Sequence, residues 1–300
     1  MYEAKILLDS RAPCGQRLTT WELTYPRFIH AELMTHRGFS RNSASSRAIP
    51  VARMLERIKC CPVLPKEWGK NQSGMQAKEL LPPDAAAEAQ FLWLKGRDMM
   101  AGLVADLAHL DLHKQLANRP LEAWMFITVI VSATSFANWF KLRKHKEAQP
   151  EIQWLAGEMH RKYLASRPTE LIAGEWHLPL LPDRQDLVAE GYGIEELKRV
   201  STGRVARVSY LTHDGIREPS KDVQLCDRLS TVGHWSPFEH VAMAMTALGW
   251  ELHVKSEMER AASAHELFNP MRLGNLLGWR QFRKEFFDES GFDFKWEEMA

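Results

Sequence analysis

Residues 35–50 read THRGFSRNSASSRAIP, and this stretch decides how the rest of the chain is understood. It sets His36, Arg37, Arg41 and Arg47 among Ser40, Asn42, Ser43, Ser45 and Ser46. That density of donors and fixed cations suits an anionic, hydrogen-bonding ligand. The preceding residues 27–34, RFIHAELM, space Phe28, Ile29, Leu33 and Met34 for a short helix. His36 and Arg37 then fall at the helix end, and the Ser/Asn-rich run departs as a loop. By composition alone, an ordinary solvated basic loop would look the same.

Upstream, residues 4–26 form two strand-like pieces separated by Pro13 and Gly15, with Leu18, Thr20, Glu22 and Thr24 alternating against Thr19, Trp21, Leu23 and Tyr25. Downstream, 51–60 is a helix stopped by Cys61-Pro62, with Cys60 and Cys61 expected to serve packing rather than redox chemistry. Residues 63–83 are a Pro/Gly-rich surface excursion. Pro83-Asp84 then opens a helix to about residue 116, with Leu92, Met99, Leu103, Leu107 and Leu110 along one stripe. His109 and His113 sit four apart with no third ligand in reach, so they read as surface or core histidines and no metal site is expected.

The apolar run 124–131 continues without a turn signal into SATSFANWFKLR and is expected to be helical. Residues 165–203 read as a long connection, 205–210 as a strand and 221–229 as a helix before GHWSPFEH at 233–240. Near the C-terminus, Asn269, Asn275 and Arg280 fit either a basic amphipathic surface helix or an echo of an earlier Asn/Arg helix.

Composition excludes several classes. Thirty-nine basic against 38 acidic residues in 300 leave a net charge of +1, with no global footprint for nucleic acid or an anionic membrane. Cys14, Cys60, Cys61 and Cys226 form no C-x-x-C pair and read as reduced thiols of an intracellular protein. The longest apolar run is half of the ~20 residues a spanning helix needs, and no leader pattern opens the chain. A cytoplasmic location is expected, the host's if the protein is viral. There is no G-x-S-x-G, H-E-x-x-H or Walker loop, and no third group completes a hydrolase site from His36 and the nearby serines.

Three motifs together resemble the flavin-dependent thymidylate synthases. His36-Arg37, then Ser45, with Ser40, Asn42 and Arg47, resembles that family's Arg-His-Arg-(seven)-Ser signature, with Thr35 in place of the first arginine. Asn138 and Arg143, followed by Ala148, Gln149, Glu151 and Ile152, resemble its Asn/Arg helix. GHWSPFEH resembles its Gly-His-x-Ser/Thr-Pro-x-Glu-His element, which in ordinary members precedes the arginine loop and here follows it. The order implies a circularly permuted and extended, phage-like variant. Residues 1–164 would form a core part, 165–203 a linker, and 204–300 a complementing part plus C-terminal extension packed with the first as one domain.

The resemblance implies an α+β fold, a twisted sheet flanked by long helices. It implies methylation of dUMP to dTMP with FAD as cofactor and with NADPH and methylenetetrahydrofolate as co-substrates. By position, Arg143 would be catalytic and lie against the pyrimidine. His36, Arg37, Asn42, Asn138, His234 and Ser236 would contact FAD. Glu32, Ser45, Ser46, Arg47 and Arg119 would bind the nucleotide with Arg143, while Glu239 and His240 would brace their element. Glu32 stands where the family has glutamine and Ser43 where it has glutamate. An ionised carboxylate only accepts hydrogen bonds, so Glu32 suits a base carrying an amino group, and methylation or hydroxymethylation of another pyrimidine nucleotide such as dCMP is the alternative. A non-catalytic nucleotide- or nucleic-acid-binding protein is the alternative of another class. The resemblance also implies a homotetramer that builds each site from several subunits.

Overall fold

The computed structural model describes residues 1–208, 218–263 and 273–286. Strands β1 (Glu3–Arg11) and β2 (Arg17–Pro26) form an antiparallel hairpin. Its turn needs Gly15, whose φ of 85° is costly for any side chain. β3 (Ser40–Ser43), β4 (Phe126–Ala133) and β5 (Thr169–Glu170) complete a five-stranded sheet of order β3-β4-β2-β1-β5, in which only β5 pairs parallel.

The alternation read in β2 sorts this sheet into two faces. Trp21, Leu23 and Tyr25, with Ile127, Val129 and Val131 of β4, bury against Phe136, Trp139, Ile152, Leu155 and Met159. These come from helices α5 (Ala137–Arg143) and α6 (Pro150–Ala165) and the turn before α5. At about 1.5–3 kcal/mol per large apolar side chain, this layer is a principal source of stability. Helices α1 (His30–Met34), α2 (Val51–Cys60), α3 (Pro83–His109) and α4 (Lys114–Ala117) lie between β2 and β4 in sequence, and the 63–83 excursion is largely irregular, as expected.

Several expectations are corrected. Residues 126–133 are a strand, not a helix: five consecutive residues of β4 are β-branched, and the strand is covered on both faces, which removes the alternation that would have marked it. Part of the signature loop is edge strand β3, and Ser40 and Asn42 in it are buried. The α3 stripe is corrected too. Ala101 and Val104 face inward, while Leu92, Met99, Leu103 and Leu110 are exposed. Cys60 and Cys61 are exposed thiols rather than packing residues.

Residues 165–203 are not a bare connection. They hold β5, β6 (Trp176–His177), α7 (Arg184–Ala189) and most of α8 (Ile194–Ala206). Val205 and Ala206, expected in a strand, end α8, and residues 209 and 210 lie outside the described residues. α9 (Pro219–Thr231) extends the expected helix. Arg204, fully buried, binds Asp183 and Asp222, and a side chain on Gly203 would collide with the Asp222 backbone, so α8 and α9 meet at close range. β6, β7 (Ala242–Ala244) and β8 (Trp279–Gln281) form a second, antiparallel sheet. Arg280 therefore lies in a strand, not in a surface helix, and Asn269 lies outside the described residues. α10 (Ala247–Ser263) precedes β8. Among the described residues no helix is long and apolar enough to cross a membrane.

The second sheet covers part of the polar face of the first through a line of buried hydrogen bonds. Ser10 Oγ meets His177 Nδ1 at 2.9 Å, and His177 Nε2 meets Thr20 Oγ1 at 2.8 Å. Thr20 Oγ1 meets Ser132 Oγ at 2.6 Å, and Ser132 Oγ meets His240 Nδ1 at 2.8 Å. Burial is the main reason that both histidines are pushed down to about 3, from roughly 6.5 in an unfolded chain. The neutral rings thus contribute stability that is complete above pH ~6.5 and is lost as pH falls towards 3. Urea unfolding should show stability falling between pH 8 and pH 5 by about 2 kcal/mol per histidine. Equal midpoints at the two pH values would show that these rings charge freely in the fold.

Candidate functional site

Arg143 ends α5, where a cation is favoured by the helix dipole. Its guanidinium reaches back to α1 and the turn that follows it. Nη1 donates to Glu32 Oε2 at 2.8 Å, Nε donates to His36 Nε2 at 3.1 Å, and Nη2 donates to Glu32 O at 3.2 Å and Thr35 Oγ1 at 3.1 Å. The His36 ring stands edge-on to Trp139, with centroids 4.9 Å apart, and stacks on Phe39. Burial first, then Arg143 and Arg41, lower its pKa. A neutral ring accepting at Nε2 carries its proton on Nδ1. Arg41 donates to Met34 O and His36 O and holds the same turn.

The opposite face of β3 meets the GHWSPFEH element. Asn42 Nδ2 donates to Val205 O at 2.6 Å, and Ser236 Oγ donates to Asn42 Oδ1 at 3.3 Å. Gln281 Nε2 donates to Glu239 O and Ser40 Oγ, and Asn275 Nδ2 donates to Gly38 O. Glu239 pairs with Arg283, and His240 ends the buried hydroxyl line, so both brace the element as expected. The contact brings the C-terminal third of the chain back to the signature loop.

The third group lies past β3. Asn118, fully buried, donates to Ser46 O and Ile49 O, both at 2.9 Å, and Lys114 Nζ donates to Ala48 O. These bonds shape the turn holding Ser45, Ser46 and Arg47. Arg119, next in sequence to Asn118, pairs with Glu122 at 2.7 Å on the surface. Ser46 also lines a cavity of about 500 Å³ with Thr24 and Thr128 of the sheet and Arg53 and Arg57 of α2.

Glu32, His36 and Arg143 therefore meet, as do Asn42 and Ser236, and Ser45–Arg47 lies beside Arg119. The first group is on the face covered by α5 and the second on the opposite face. Arg37, Arg47, Asn138 and His234 are exposed, and their side chains make no hydrogen bond or ion pair among the described residues. Sequence reading missed Asn118 and Gln281, and it read Asn275 as part of a surface helix or an Asn/Arg echo rather than as a partner of Gly38 and Ser40. Only Asn118 left a signal, as a polar residue directly before Arg119-Pro120. His109 and His113 are exposed, and no group of three metal-ligating side chains occurs among the described residues.

A family described as thymidylate synthase complementing protein matches residues 13–169, a span containing both the arginine loop and the Asn/Arg helix. The chain belongs to that family. It is the family of flavin-dependent thymidylate synthases that the motifs resembled. The GHWSPFEH element lies beyond the matched span, and here the Ser236–Asn42 and His240–Ser132 contacts tie it to the family core. A UMP/dUMP methylase, PolB, of Streptomyces cacaoi bound with 5-Br UMP is 14% identical with a TM-score of 0.45, covering 55% of this chain and 89% of its own. The same methylase bound with 5-Br dUMP is 16% identical with a TM-score of 0.40, covering 50% and 66%. No curated protein matches the chain.

If Asn118 shapes the family loop, Asn118→Ala should lower stability by about 1–3 kcal/mol in urea unfolding, because it strands two carbonyls. Arg119→Ala, at an exposed pair, should cost less than about 1 kcal/mol. Equal effects would remove Asn118 from that role.

Proposed function

We propose that the protein is a flavin-dependent thymidylate synthase, converting dUMP to dTMP with methylenetetrahydrofolate and NADPH. The observation that carries this reading is the convergence of Glu32, Thr35 and His36 on Arg143, because it joins two family motifs through one guanidinium. A guanidinium stays charged at any working pH. Held by three partners, it is oriented before a base arrives, which is what stabilising negative charge on an activated ring requires.

The residues present fit FAD in part. Arg37, His234 and Asn138 are available to it, while Asn42 and Ser236 are bonded to one another and His36 to Arg143. When bound, FAD supplies the reducing equivalent that NADPH restores. The chain's own share is binding: Arg47 with the Ser45–Ser46 turn as a cradle for the nucleotide phosphate, and Arg37 and His234 as exposed donors to the flavin. These donors lie on two faces of one sheet, so in this reading a complete site takes residues from more than one copy of the chain.

The second reading, an amino-bearing pyrimidine such as that of dCMP, is favoured by Glu32. Its carboxylate already neutralises Arg143 and offers only acceptors. Purified protein should be yellow, be bleached by NADPH, and form dTMP when dUMP and methylenetetrahydrofolate follow. Arg143→Ala should reduce turnover at least ~100-fold, and His109→Ala should leave it unchanged. A colourless protein that binds dUMP would contradict the enzyme reading. Turnover of dCMP in clear preference to dUMP would replace the first substrate with the second.

A further inference from the structure

The outward face of α3 is apolar where a lone chain would be expected to be polar. Phe91, Leu92, Met99, Leu103 and Leu110 keep between 44% and 79% of their surface exposed, along a stripe about 29 Å long. Scattered apolar side chains are ordinary on a surface, but four along one helical stripe, with Leu110 at its C-cap, point to an interaction site. In the middle of the row stand Lys95 and Asp106, three helical turns apart, and neither has an ion-pair partner among the described residues.

We propose that this face packs against a second copy of the chain, the two α3 helices running antiparallel about a two-fold axis between residues 100 and 101. That operation sets Lys95 opposite Asp106 of the partner subunit, and it does so twice, as an isologous contact requires. It also sets Phe91 opposite Leu110 of the partner subunit. Met99 falls opposite Gly102 of the partner subunit, where the missing side chain leaves open space for it. Parallel packing would instead place Lys95 on its own copy and Asp106 on its own, like charge on like. The pattern is thus self-complementary in one orientation only. Both this proposal and the multi-copy site of the functional reading need association; beyond that, this one rests on α3 alone.

The test is the sedimentation mass of the full chain across a concentration series. The wild type should associate, and Met99→Lys should weaken association at least about tenfold. Lys95→Glu and Asp106→Lys should each weaken it, and the double variant carrying both should restore it, since the pair is merely reversed. All these side chains are exposed, so circular dichroism should be unchanged throughout. A monomeric wild type overturns the proposal. So does an associated wild type whose mass ignores Met99→Lys, and in that case flavin bleaching and dTMP formation can still stand. Normal α3-dependent association in a protein that neither binds flavin nor turns over a nucleotide supports the interface and removes the functional reading.

Discussion

The Arg143 guanidinium is the contact on which the candidate site depends. Glu32, Thr35 and His36 lie more than a hundred residues before it in the chain, and all three accept from it. A lysine could not replace it, because one ammonium cannot reach a carboxylate, a ring nitrogen, a hydroxyl and a carbonyl in fixed planar geometry. The contact also settles the state of His36, which must remain neutral to accept. With His36 fixed against Trp139 and Phe39, the chain leaves the turn in one direction and enters β3.

β3 carries that order to the other face of the sheet. It is four residues long, yet Ser40 and Asn42 bind Gln281, Asn275, Ser236 and Val205 O. Beside it, the line from Ser10 to His240 fastens the second sheet through side chains that would be costly to bury unpaired. A line of directional hydrogen bonds specifies one docking position where an oily layer alone would tolerate several.

Much of this was legible in advance. The period-two alternation of residues 18–25 placed the hairpin and its two faces, and the spacing around His36 and Arg143 named residues that do meet. β4 was not legible as a strand because a central strand buried on both sides loses its alternation. The α3 stripe was recognised as apolar, but nothing local says which side of a helix faces the core, and here the smaller Ala101 and Val104 do. The contacts of Gln281 and Asn275 with the signature loop were out of reach, since Ser40 and Gly38 lie more than two hundred residues away. Asn118 acts through its carbonyl partners, so its place before Arg119-Pro120 is the only trace of that role in the sequence.

The most direct test of the account is a double-mutant cycle on dUMP affinity in the flavin-loaded protein, using Glu32→Gln and Arg143→Lys. If one guanidinium organises the site, the two changes should be coupled by at least about 1 kcal/mol, as expected for residues in direct contact. Strictly additive effects would mean that the nucleotide does not sense the Glu32–Arg143 pair, and the site would have to be sought elsewhere on the fold.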